Sequence, residues 1–205
     1  MVYLFLLIIL IFSVIVHEIA HGAVANYLGD PTAKYAGRLT LNPIAHLDLF
    51  GSVLIPLLLI LARSPVLFGW AKPVPINPCN LRDQKYGQAK VALAGPAANL
   101  GIACVLGLIL RFLPHFLMSP AFYTILSYIV FINILLAVFN LIPIPPLDGS
   151  HILFTFLPES LRSIKIFLLQ YGFFILLIVI FFFLQWLFPL IEIIYKLIVG
   201  SPLVL

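Results

Sequence analysis

The chain has 205 residues, of which 63% are hydrophobic and only 9% charged, with a formal net charge of +4. A soluble domain carries roughly 25% charged residues, so this composition excludes an ordinary soluble protein and reads as a multi-pass membrane protein. The eleven Lys and Arg are scattered through short loops, which argues against a nucleic-acid partner and for charges that set orientation in a lipid bilayer.

The first apolar run predicts a helix from about Val2 to Leu28, stopped by Gly29-Asp30-Pro31. With neither a basic leading region nor a small-residue cleavage site, it reads as a retained anchor. At 1.5 Å per residue it is about 40 Å long. It contains His17-Glu18-Ile19-Ala20-His21, an HExxH pattern. Residues four apart share a helix face, so His17 and His21 suit a single metal ion. Glu18 stands where a base would take a proton from metal-bound water. Ionisable groups at membrane depth are costly and mark function. Lys34 and Arg38 follow, placing this helix end on the cytoplasmic side.

Residues 32–43 are expected to be extended, with Asn42-Pro43 as a turn. Leu49–Ala62 is apolar but has only 14 residues and Pro56 in its middle, which suits a re-entrant or interfacial helix better than a crossing. Residues 68–80 hold Pro73, Pro75 and Pro78 and are expected to be extended. Three stronger spans follow at about Gln88–Phe112, Phe122–Ile142 and Ile164–Leu184, and then a short C-terminal helix, Leu187–Val199, set off by Pro189. The fold expected is therefore an all-α polytopic membrane protein with about four firm transmembrane helices. Residues 1–205 are expected to form one integral-membrane domain without internal repeats or an appended soluble domain.

Two histidines do not complete a catalytic zinc site, which needs a third protein ligand and an open position. The best candidate is Asp148, in Asn140-Leu-Ile-Pro-Ile-Pro-Pro-Leu-Asp-Gly149. Prolines 143, 145 and 146 break the helix there, and such backbone is tolerated at membrane depth only where protein or water surrounds it. Gly149 gives the chain room to turn. For Asp148 to reach the histidines, Leu49–Ala62 must be re-entrant, or residues 68–80 must return to the cytoplasmic side. The re-entrant topology places eight of eleven basic residues inside and full crossing gives seven against four, so charge decides little.

With HEIAH at 17–21, ALAGPAANL at 92–100 and FNLIPIPPLDGSH at 139–151, the sequence resembles the site-2 protease family of intramembrane zinc metalloproteases. GRLTLNPIAHLDLFGS (37–52) and FGWAKPVPINP (68–78) further resemble its compact bacterial-type branch without a PDZ domain. The resemblance implies one Zn2+ per chain held by His17, His21 and Asp148, with Glu18 as catalytic base. It also implies a substrate that is a membrane protein with a transmembrane segment. The expected location is the plasma (inner) membrane with the active site toward the cytoplasm; no oligomeric state is implied.

A substrate helix must unwind to expose its peptide bonds, and residues 68–80 are a candidate strand to pair with it. Asn140 is a candidate to hold the substrate backbone or the developing oxyanion. His46 is either a histidine bonded to a loop carbonyl or a transient metal contact, and His151 either orients the Asp148 loop or makes a plain loop hydrogen bond. Asn99 either bonds across helices or points at the cavity. Cys79 and Cys104 lack metal-ligand spacing and read as passive, and His115 reads as interfacial. Two competing functions are a membrane metal or ion transporter built on the same His/Asp cluster and a catalytically silent binder of membrane proteins. The former would place further acidic residues on the later spans, but Phe122–Ile142 and Ile164–Leu184 have none.

Overall fold

The computed structural model describes residues 2–62, 72–113 and 119–203. His115 and residues 68–71 of the expected extended segment lie outside them. The architecture is all-α and polytopic, with no strand among the described residues. Four stretches are long and apolar enough to cross a membrane: Phe5–Tyr27, Gly87–Phe112, Pro120–Asn140 and Glu159–Phe183.

Helix α1 (Val2–Tyr27) ends at Gly29, whose φ of 111° is open to glycine. Asp30 N–H reaches back to the Ala25 carbonyl (2.9 Å) and Gly29 N–H to that of Asn26 (3.2 Å). This paired cap satisfies carbonyls that the last turn leaves open. The Asp30 side chain is fully buried. It accepts from the amides of Thr32 (3.2 Å) and Asn77 (2.6 Å), from the Asn80 side chain (2.9 Å) and from the Thr32 hydroxyl. Burial pushes its pKa up, but these four donors outweigh burial and hold it below the ordinary carboxylate value.

The expected extended run at 32–43 is corrected in part. Thr32–Tyr35 forms the helical turn α2, and Pro43–His46 a 3-10 turn capped by the Asn42 side chain. The Asp30–Thr32 bonds start the turn at 32, and Ala33 buries itself against α1 beside Gly22. Further on, Leu49–Leu54 is a π-helical turn capped by Asp48, and it runs into α3 (Ile55–Leu61). Pro56 is the second residue of α3, at its junction with the π-helical turn. Lys72 N–H bonds the His46 carbonyl at 2.9 Å, so residue 72 lies beside the point where the chain left, as a re-entrant path requires. Residues 72–77 then run without helix to a 3-10 turn at Pro78–Asn80.

Helix α4 (Gly87–Phe112) packs against α1, α5, α6 and α8 and is the centre of the bundle. Helix α5 (Pro120–Asn140) starts on a Ser119 cap with Pro120 at its first position. The irregular turn after it leads to α6 (Asp148–Phe156). Helix α7 (Arg162–Ile178) is mostly exposed, and α8 (Phe188–Val199) carries Pro189 in its first turn. The main apolar core joins Ala103 and Leu110 of α4, Leu126, Val130 and Ile134 of α5, and Ile191, Tyr195 and Val199 of α8. Phe181, Phe182, Phe183 and Trp186 are exposed, as expected for lipid-facing side chains.

Candidate metal centre

The fold brings His17, His21 and Asp148 together. His17 Nε2 lies 3.0 Å from His21 Nε2 and 3.0 Å from Asp148 Oδ2, and His21 Nε2 lies 3.2 Å from that same oxygen. Zinc–ligand bonds of about 2.0–2.1 Å in a tetrahedral arrangement put ligand atoms about 3.3 Å apart, so the triangle has the size of one face of a zinc site.

The outer hydrogen bonds decide what these atoms offer. His21 Nδ1 lies 2.7 Å from the Val91 carbonyl, which only accepts, so Nδ1 carries the proton. His17 Nδ1 lies 2.6 Å from Asn99 Oδ1. The Asn99 amide is oriented by its other end, which donates to the Ser13 carbonyl (3.2 Å) and Asn133 Oδ1 (2.8 Å). Asn133 in turn donates to Ser13 Oγ (3.0 Å) and the Ile129 carbonyl (2.9 Å). With both Nδ1 atoms donating, both Nε2 atoms present lone pairs to each other and to a carboxylate oxygen. Three acceptors this close repel one another unless a cation lies among them, so the donor set fits a divalent metal.

Helix α4 makes room for this. A Cβ on Gly95 would sit about 2.5 Å from His17 Cε1 and Nε2 and from His21 Nε2. The small residues of 92–100 thus serve the imidazoles directly as well as helix packing. On the aspartate side, a Cβ on Gly149 would meet the Leu141 and Ile142 carbonyls, so only glycine lets the turn fold back and start α6 at Asp148. The imidazoles are buried, whereas Glu18 and Asp148 are half-buried, so the centre opens toward the loops.

Glu18 stands beside the triad without joining it. Its Oε2 accepts the Val74 N–H at 2.8 Å. Lys72 N–H is taken by His46 and Asn77 N–H by Asp30, while Pro73 and Pro75 have none. Residues 72–75 therefore have no N–H group left for a strand laid alongside, and the Lys72 and Pro73 carbonyls already accept from Arg38.

None of the remaining candidates is hydrogen-bonded to the triad. The Asn140 side chain donates to the Leu136 carbonyl of its own helix (3.0 Å). His151 is exposed on α6, and among the described residues nothing bonds its ring. Neither expected role, orienting the Asp148 loop or a plain loop hydrogen bond, is seen for its ring; at the start of α6 Ser150 Oγ donates to the Leu147 carbonyl (2.7 Å). His46 is buried with Nε2 on the Thr40 carbonyl (2.8 Å), and its Nδ1 has no hydrogen-bond partner among the described residues. Sequence reading missed Ser13, Asn133, the Val91 carbonyl and the Val74 amide. Asn133 had a legible signal, since an amide amid the apolar SYIVFINILLAVFN run must find a partner.

Fold and site together define a polytopic membrane protein with a His-His-Asp metal-type centre at the depth of its helices. Residues 117–179, which include Asp148, match the model of Peptidase family M50. YwhC of Bacillus subtilis (strain 168), provisionally named a zinc metalloprotease, is 41% identical over 181 residues, covering 85% of this chain and 78% of that protein. Rip2 of Mycolicibacterium smegmatis, named in the same way, is 32% identical over 172 residues, 82% of this chain and 63% of that protein. Rip2 of Mycobacterium tuberculosis (strain H37Rv) is 30% identical over 153 residues, 74% and 57% respectively. The chain thus spans less than two thirds of the Rip2 proteins. No solved structure matches it. The chain belongs to peptidase family M50, the site-2 protease family.

Proposed function

We propose that the chain is a zinc-dependent intramembrane endopeptidase that hydrolyses peptide bonds in or near transmembrane segments of membrane proteins. One zinc per chain is held by His17, His21 and Asp148. The observation that carries this reading is the convergence of three lone-pair donors, with HExxH geometry, inside an apolar helix bundle. The membrane is the plasma (inner) membrane and the centre faces the cytoplasm, a reading supported by Lys34 and Arg38 just after α1.

Zinc, when bound, polarises the scissile carbonyl and lowers the pKa of a coordinated water to about 7. The protein's own part is positioning and proton transfer. Glu18 Oε2 is held by Val74, and among the described residues Oε1 has no hydrogen bond. Oε1 takes the proton of the attacking water and returns it to the leaving amine. Val91 and Asn99 fix the imidazole tautomers, so the histidines hold the cation without exchanging protons with the substrate. Asn140, at the end of α5, retains one amide hydrogen for the substrate backbone.

The test is cleavage of tagged transmembrane reporters in liposomes by wild type, by Glu18→Gln and by chelated wild type, with zinc measured on the same samples. The expected result is product from untreated wild type alone, with zinc retained in Glu18→Gln. Equal cleavage by Glu18→Gln, or folded protein that never binds zinc, overturns the reading.

A further inference from the structure

The sequence presents Arg38 as a loop charge, yet its side chain is buried, at 6% exposure. Among the described residues no carboxylate forms an ion pair with it. A buried guanidinium is costly unless its charge is met by hydrogen bonds. Here backbone carbonyls on two separate segments meet its two terminal nitrogens, while Nε has no hydrogen-bond partner among the described residues. Nη1 donates to Ala45, and Nη2 to Lys72 and, at 3.2 Å, to Pro73.

The Pro73 carbonyl and the Val74 N–H are the two ends of one peptide unit. A continuous chain therefore runs from the Arg38 guanidinium to Pro73 C=O, through that amide to Val74 N–H, and on to Glu18 Oε2 at 2.8 Å. A cation on the carbonyl polarises the amide and strengthens its N–H as a donor. The same unit is pinned from both sides. Lys72 N–H bonds the His46 carbonyl, and Val74, buried at 6% exposure, packs with Leu39 over Gly22 one turn beyond Glu18. A Cβ on Gly22 would lie 2.7 Å from Leu39 and 3.0 Å from Val74, so glycine is what lets both segments reach α1 there.

We propose that Arg38 is a positioning residue for proteolysis: it clamps residues 72–74 to the 38–46 loop and, through the Pro73–Val74 peptide, aims Glu18 at the reacting water. The inference rests on the proteolytic reading above for its kinetic consequence but not for the clamp itself. Arginine is required because its fork reaches both segments at once, which a lysine ammonium does not reproduce. The clamp touches none of the three metal-ligand side chains, so its loss leaves the metal in place.

The experiment compares wild type, Arg38→Gln, Arg38→Lys, Val74→Pro (which deletes the N–H) and Arg38→Gln/Val74→Pro. The readouts are zinc content, kcat and KM on a transmembrane reporter, and hydrogen exchange of the peptide covering 72–77. Each single variant is expected to keep zinc, to lower kcat by about tenfold or more and to leave KM within about twofold, as for loss of a group that acts only in the transition state. The double variant is expected to fall no more than about threefold below the weaker single, because both changes break one chain. Both Arg38 variants are expected to speed exchange at 72–77, with Arg38→Lys keeping the buried charge should Arg38→Gln not fold. Multiplicative losses, wild-type kcat in Arg38→Lys, or unchanged exchange at 72–77 overturns the clamp. Exchange decides it even if wild type cuts no reporter, an outcome that counts against proteolysis alone.

Discussion

The two halves of the centre are held by different means. On the bundle side, His17 and His21 sit on α1 and are fixed by Asn99 and the Val91 carbonyl of α4, with Asn133 of α5 behind them. Every partner there belongs to a long helix, and the imidazoles are buried. On the loop side, Glu18 is held by a backbone amide in a proline-rich segment that is itself tied down by Arg38 and His46. On the proposed function, the difference separates two tasks. Metal ligands need fixed direction and exclusion of bulk water, which helix packing supplies. A base and a water path need access to the aqueous side, and irregular backbone is tolerated at membrane depth where protein or water surrounds it.

That contrast predicts that bundle-side substitutions strip the metal, whereas loop-side ones leave it bound and slow turnover. The largest effect is expected from Gly95→Ala. Its methyl would press on both imidazoles, so zinc content and reporter cleavage should both fall at least about 100-fold while the protein still purifies as a helical membrane protein. Normal zinc in this variant would break the contrast.

Next, Asn99→Ala removes the partner that fixes the His17 tautomer. Zinc affinity, measured by competition with a chelator, should drop about 10–100-fold. Asn133→Ala, one bond further out, should have the smaller effect in the same direction. Equal effects would place the control at Asn133 rather than at the ligand's own partner.

The smallest effect is expected at Asp30, which anchors Asn77 and Asn80 but not the metal. Asp30→Asn should lower thermal stability by about 1–3 kcal/mol with zinc stoichiometry unchanged. Because the folded-state pKa of Asp30 is below its ordinary value, its contribution is complete above that value and is lost as pH falls through the folded one. Wild type should therefore lose stability in acid more steeply than Asp30→Asn, as melting curves taken across the acid range would show.

Much of the fold was legible because lipid leaves few options. Apolar length set the spans of α1, α4 and α5 to within two residues, and Pro56 with a 14-residue run marked a short helical piece. The triad was legible too, through the i, i+4 spacing of His17 and His21 and an aspartate at a proline-broken helix end. What stayed hidden depends on contacts between distant segments. Arg38 looks like any loop cation until residues 72 and 73 close over it. Thr32–Tyr35 looks extended until Asp30 is seen to accept from the Thr32 amide and hydroxyl. His151 has the right spacing from Asp148 yet faces outward. Gly95 reads as a packing residue until two imidazoles are seen against it.

The most direct test of the central claim is zinc K-edge X-ray absorption on the purified 205-residue chain, for wild type and for Glu18→Gln. The prediction is one zinc per chain with a shell of nitrogen and oxygen at about 2.0–2.1 Å, imidazole scattering from two histidines and no sulfur, unchanged in Glu18→Gln. A sulfur shell at about 2.3 Å, or imidazole scattering that survives His17→Ala and His21→Ala together, would contradict the assignment of the metal to this centre.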